Sequence, residues 1–216
     1  MTPSERARLV HEYLRTLYPA PQCALNYTHD YELLFAVIMS AQTTDRQVNK
    51  LTTTLFSKYP RLDDYAEADP AQLEQDISSI GLYRAKARNL RKSARLLLEE
   101  FDGQVPRSVA EIIRCPGAAR KTANVVLWEL YRIAEGMAVD THVKRLARQL
   151  QLTTETDPVK IERDLLPLFA REEWGDVSHR LILYGREYWP ARQADRGRLA
   201  EVAGVSREYT VELPSG

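Results

Sequence analysis

A proline-glycine turn set between two helical patterns, Cys115-Pro116-Gly117-Ala118-Ala119, constrains the fold of this chain more than any other feature. A lysine, Lys121, stands just inside the second helix. Nineteen residues after it comes Val139-Asp140-Thr141-His142, which places a carboxylate at the start of another helix. Helix, tight turn, helix and a further helix start, in that order, leave little room for a sheet.

The remaining pattern is helical throughout. Ser4 is expected to cap a first helix that stops before Pro19. Asp30 is expected to cap a helix over Tyr31 to Ala41, whose Leu33, Leu34, Val37 and Ile38 mark it as central. Further helices are expected over residues 44–58, 70–78, 83–100, 108–113, 120–134, 141–150, 158–168 and 174–188. Pro60, Gly81, Gly103, Pro106 and Gly136 serve as breakers between them. No period-2 run is long enough for a sheet, so the fold class is all-α. Residues 190–216 are the least periodic.

Composition excludes several classes. Apolar residues make up 44% of the 216 and charged residues 28%, as in ordinary globular proteins. No apolar run approaches the roughly 18 residues of a membrane span. Cys23 and Cys115 make no disulfide framework, and Met1 to Arg8 does not resemble a signal peptide. A reduced, cytoplasmic setting is expected, with no membrane partner. The formal net charge is zero, but it is segregated. Arg84, Lys86, Arg88, Arg91, Lys92 and Arg95 occur with no acid between them, and Arg180, Arg186, Arg192, Arg196 and Arg198 form a second basic segment. One face could meet phosphates while the whole stays neutral; solvated helix faces are the plain alternative.

Specific matches run in order along the chain. They are Leu25-Asn26-Tyr27, Ser40-Ala41-Gln42-Thr43-Thr44-Asp45, Val48-Asn49-Lys50, Ile80-Gly81-Leu82-Tyr83 with Lys86-Ala87, Gly103-Gln104-Val105-Pro106, the hairpin with Arg120-Lys121-Thr122-Ala123, Val139 to Val143 with Arg145, and Leu181 to Arg186. On these residues the chain resembles the endonuclease III family of helix-hairpin-helix DNA glycosylases. The resemblance implies two helical lobes with a DNA-binding cleft and a helix-hairpin-helix at about residues 108–132. One lobe is a six-helix block over residues 23–133; the other joins residues 1–22 to 134–216.

The same resemblance implies a base-excision-repair glycosylase with abasic-site lyase activity, acting on oxidised pyrimidines in duplex DNA. A mismatch or alkylated-base glycosylase of the same superfamily and a non-catalytic damage-binding protein are the alternatives. The partner is double-stranded DNA containing damaged bases or abasic sites, met by a monomer associated with the nucleoid. Lys121 and Asp140 are the expected catalytic pair. A lysine amine can attack C1′ and form a Schiff base. Attack needs the neutral amine, which a helix N-terminus in a dry setting favours. An anionic Asp140 at a helix start suits stabilising an oxocarbenium-like charge. Taken singly, Lys121 is a solvated helix residue and Asp140 a plain N-cap.

Pro116, Gly117, Ala118, Ala119, Arg120 and Thr122 form the expected DNA-binding hairpin, in which backbone N–H groups of the turn and helix start point to a phosphate. The family pattern there is Leu-Pro-Gly-apolar-Gly, and alanine in place of the last glycine is expected to strain a positive φ, crowd a phosphate and weaken binding. Gln42 and Leu82 match positions the family uses to fill the gap left by a flipped base and to wedge the stack; a helix-end cap and a core residue are their plain alternatives. His142 lines the base pocket or hydrogen-bonds within its helix. Most members of the family carry an iron–sulfur cluster on four cysteines spaced C-x6-C-x2-C-x5-C. Those positions fall here on Trp189, Arg196, Leu199 and Val205, none of which supplies a thiolate. No cofactor or metal is therefore expected, and an apolar plug is expected in place of the cluster.

Overall fold

The computed structural model describes residues 1–189 and 197–205. Among these every regular element is helical, and no strand occurs. In chain order the helices are α1 (Pro3–Leu17), α2 (Asp30–Met39), α3 (Asp45–Lys58), α4 (Leu62–Glu67), α5 (Pro70–Asp76), α6 (Tyr83–Glu100), α7 (Val109–Ile112), α8 (Arg120–Tyr131), α9 (Thr141–Gln149), α10 (Pro158–Leu165), α11 (Trp174–Glu187) and α12 (Gly197–Val202). They fall into two compact units. One is Cys23–Glu135; the other joins Met1–Gln22 to the described residues from Gly136 onward.

Within Cys23–Glu135, α2 is the centre. Its Leu33 to Met39 are all buried, as a helix apolar on every side must be. It packs against α3, α6 and α8. Glu32, 4% exposed, is satisfied by reaching back: its Oε2 accepts the amides of Thr28 at 2.6 Å and His29 at 3.0 Å. Helix α6 carries a buried stripe of Lys86, Ala87, Leu90, Ser93, Ala94 and Leu97, with Arg84, Arg88, Lys92 and Arg95 exposed. The basic run seen in sequence is thus an outer face from which Lys86 is turned inward. This unit has seven helices where six were expected; α4 was not foreseen.

In the other unit, α1 packs on α11 and α12, and α9 on α10 and α11, around a core that includes Leu14, Val143, Leu146, Leu181, Tyr184 and Trp189. The first helix is capped by Thr2 rather than Ser4. The Thr2 side chain accepts the Glu5 amide, and Glu5 returns to the Thr2 amide at 2.7 Å. Arg180, grouped with the basic segment in sequence, is 4% exposed and donates to the Tyr18 and Pro19 carbonyls. It is a structural tie, not part of a charged face.

Candidate nucleic-acid interface

The hairpin is built from α7, the turn after it, and α8. The turn closes through the amides of Cys115 on Ile112 and of Ala118 on Cys115, each at 3.0 Å. Gly117 has φ +88°, and a Cβ there would lie 2.6 Å from Asn89 Nδ2 and 3.1 Å from Ile38 Cγ2. Only glycine fits. Ser93 on α6 donates to the Pro116 carbonyl at 3.3 Å, which fixes the turn to the longest helix of its unit. Cys115 is fully buried, and burial pushes its thiol up to about 11, so it serves as a small hydrophobe.

The strain expected at the alanine pair is absent. Ala119 sits at φ −110°, ψ 174°, extended backbone open to any residue, and Ala118 is not in the left-handed region either. Ala119 is the N-cap of α8 but has no side-chain oxygen, so no side chain caps the first turn. A helix start without a side-chain cap is the kind of place that takes an anion. Ala119, Arg120 and Lys121 are exposed, whereas Pro116 and Ala118 are half-buried. Thr122 is 7% exposed and faces the core, so its side chain is not a surface contact.

Two further tips lie in the same unit. Gln42, between α2 and α3, and Leu82, at the start of α6, are both exposed and both left-handed, with φ +55° and +59°. Leu82 is 58% exposed, too open for a core residue. The loops adjoin: a Cβ built on Gly81 would lie 4.0 Å from the Gln42 carbonyl oxygen.

In the other unit, Asp140 caps α9. Its Oδ1 accepts the amides of His142 at 2.8 Å and Val143 at 2.9 Å, so both capping bonds fall on one carboxylate oxygen. The His142 ring is half-buried against Gly185. Burial lowers its pKa below the usual histidine value; Asp140 opposes that shift, while Arg145 and Arg186 reinforce it. Arg145 points to His142 Nδ1 at 3.4 Å and donates to the carbonyls of Gly185 at 3.2 Å and Trp189.

The positions where an iron–sulfur cluster would be expected do not fit one. Trp189, Leu199 and Val205 are 2%, 0% and 6% exposed and belong to the apolar core; Arg196, like Arg192, lies outside the described residues. Among the described residues no group of three or more His, Cys, Asp or Glu is gathered to hold a metal. Tyr184 meets Trp189 edge-on at 6.5 Å between ring centroids, and its hydroxyl accepts the Leu199 amide at 3.1 Å.

The sequence places Lys86 in a basic, phosphate-facing segment and gives no individual role to Asn89, Ser93 or Arg145; in the structure Lys86 is buried. For Lys86 the signal was present: with Ala87, Leu90, Ala94 and Leu97 it falls on one helical stripe.

Comparison with known proteins agrees with this architecture. Residues 35–171 match the model of the HhH-GPD superfamily base excision DNA repair proteins. The chain is 45% identical over 189 residues to endonuclease III of Synechocystis sp., covering 88% of this chain and 86% of that protein. It is 38% identical to endonuclease III of Escherichia coli K12, covering 83% and 85%. A solved endonuclease III–DNA trapped covalent intermediate superposes with a TM-score of 0.88 at 38% identity, over 94% of this chain and 96% of that one. A thermostable thymine-DNA glycosylase, 19% identical with a TM-score of 0.74, shares the fold. The chain belongs to the HhH-GPD superfamily of base-excision repair proteins and, within it, to the endonuclease III family.

Proposed function

We propose that this chain, a base-excision-repair DNA glycosylase and abasic-site lyase by family, removes oxidised pyrimidines from duplex DNA and nicks the strand with Lys121 and Asp140 as its catalytic residues. It works as a monomer in the cytoplasm, on the nucleoid, and without an iron–sulfur cluster. The observation that carries the reading is the hairpin: an uncapped, exposed helix start with Lys121 as its second residue.

The chemistry follows from the residues. A base must leave the stack before its C1′ can be reached. Gln42 and Leu82 fill and wedge the gap, an amide for the orphaned base and an apolar side chain for the stack. Gly117, Ala119 and Arg120 hold the backbone phosphate through main-chain N–H groups, which read no sequence, with Pro116 and Ala118 shaping the turn that presents them. The Lys121 amine attacks C1′, and the glycosidic electron pair leaves with the base. Asp140 carries the negative charge that offsets the sugar's positive charge in that step. The sugar ring then opens to a Schiff base on Lys121, C2′ loses its proton, and the 3′ phosphate departs. His142, two residues after Asp140, lines the base pocket.

Borohydride trapping on duplex DNA with one abasic site tests the reading. A covalent adduct is expected, absent in Lys121→Ala. No adduct from the unaltered protein would overturn it. Base release measured across single-lesion duplexes then tests the preference for oxidised pyrimidines.

A further inference from the structure

Lys86 occupies a position where an apolar side chain would pack. It is 3% exposed, in a stripe of Ala87, Leu90, Ser93, Ala94 and Leu97. Its Nζ donates to Thr43 Oγ1 at 2.8 Å. Burial lowers its pKa, and no carboxylate contributes to that shift. A buried ammonium without an acid partner is costly. The position is too enclosed to reach a phosphate from solvent.

What Lys86 touches is informative. Thr43 is the chain neighbour of Gln42. The Lys86 amide donates to the Leu82 carbonyl at 3.0 Å, one helical turn below. One residue thus joins the loop of the first exposed tip to the helix start that bears the second. Both tips hold non-glycine residues at positive φ, a conformation that persists only where surroundings enforce it.

We propose that Lys86 is a positioning residue that locks the Gln42 and Leu82 tips into a single rigid insertion element, so that extrusion of a stacked base depends on it. The inference rests on the reading that these two side chains enter the DNA stack. It extends that reading by separating the two steps: releasing an intact base needs the insertion element, whereas nicking a preformed abasic site has no base to extrude.

Lys86→Met tests this without confounding folding, because an apolar chain of similar length removes the buried charge and should leave thermal stability equal or higher. Thr43→Val removes the acceptor from the other side. Each variant is expected to lower single-turnover base release about tenfold and abasic-site nicking by less than about threefold, with the double variant no worse than either single one. Base release within about twofold of the unaltered protein, or equal loss in both steps, overturns the proposal. An unaltered protein that forms no borohydride adduct refutes the parent reading, and the proposal with it; an unaltered protein that traps normally while Lys86→Met releases base normally refutes the proposal alone.

Discussion

The imidazole of His142 rests directly on the backbone of Gly185: a Cβ built on Gly185 would lie 2.9 Å from both Cβ and Nδ1 of the histidine. Contact with His142 Cβ cannot be relieved by turning the ring. Gly185→Ala is therefore expected to push α9 away from α11 and to destabilise the protein by about 1–3 kcal/mol, as overpacking does. Urea denaturation reads this. An unchanged midpoint would show that the two helices are not in close register.

The same burial gives a pH dependence. With a folded pKa below the ordinary value of about 6.5, His142 binds its proton less readily folded than unfolded. Its contribution is fully present at neutral pH and above, and is lost as pH falls from about 6.5 through the lowered value. An NMR titration of the ring should give an apparent pKa under the unfolded one. Asp140→Asn, which removes the acid that opposes the shift, should lower it further. A His142 that titrates at or above the unfolded value would contradict the packing.

Asp140 has a capping task and a proposed chemical one, and they can be separated. Asn caps helices about as well as Asp, so Asp140→Asn should leave thermal stability nearly unchanged while base release falls steeply. Asp140→Ala loses the bonds to the His142 and Val143 amides and should cost about 1 kcal/mol besides. If Asp140→Asn keeps full base release, the side chain is a cap and nothing more.

Much of this architecture was legible in the sequence, for reasons that can be named. Helix α6 runs from Tyr83 to Glu100 as its pattern predicts, because one side is apolar and the other basic over five turns. Helix α4 was not seen: six residues with Asp63 and Asp64 inside present no stripe to read. Helix α8 ends early, at Tyr131, because Arg132 takes the left-handed conformation, and its φ of +53° leaves no mark in composition. The Thr2–Glu5 capping box was readable as a threonine followed three residues later by a glutamate, although Ser4 is the expected cap. The contact of Gly185 with His142 was out of reach, since it depends on how α9 meets α11 across some forty residues of chain, whereas Arg145 lies only three residues beyond His142 on the same helix. The alanine pair misled in the opposite direction. The family's glycine suggested a positive φ that the backbone at Ala119 does not have.

Ala119 gives a prediction in which stability and binding part company. Serine at this N-cap supplies the missing hydroxyl and should raise stability by about 1 kcal/mol. That hydroxyl occupies an amide of the first turn of α8, which the proposed interface offers to phosphate. Ala119→Ser should thus melt higher and bind abasic-site duplex more weakly. Equal or tighter binding would mean that the helix start does not meet DNA.

Trp189 closes the core at the first of the four positions where the family's cysteine spacing would place a cluster ligand. It is almost fully buried, its ring meets Tyr184, and its carbonyl accepts Arg145. With Leu199 and Val205 it ties the α12 segment to the core through apolar contact. Truncating so large a buried side chain costs about 3–5 kcal/mol. Trp189→Ala should lower the melting temperature by many degrees, while an iron chelator should leave the unaltered protein's melting curve where it was. If the chelator destabilises the protein, or the purified chain carries iron and sulfide, metal rather than tryptophan holds this segment.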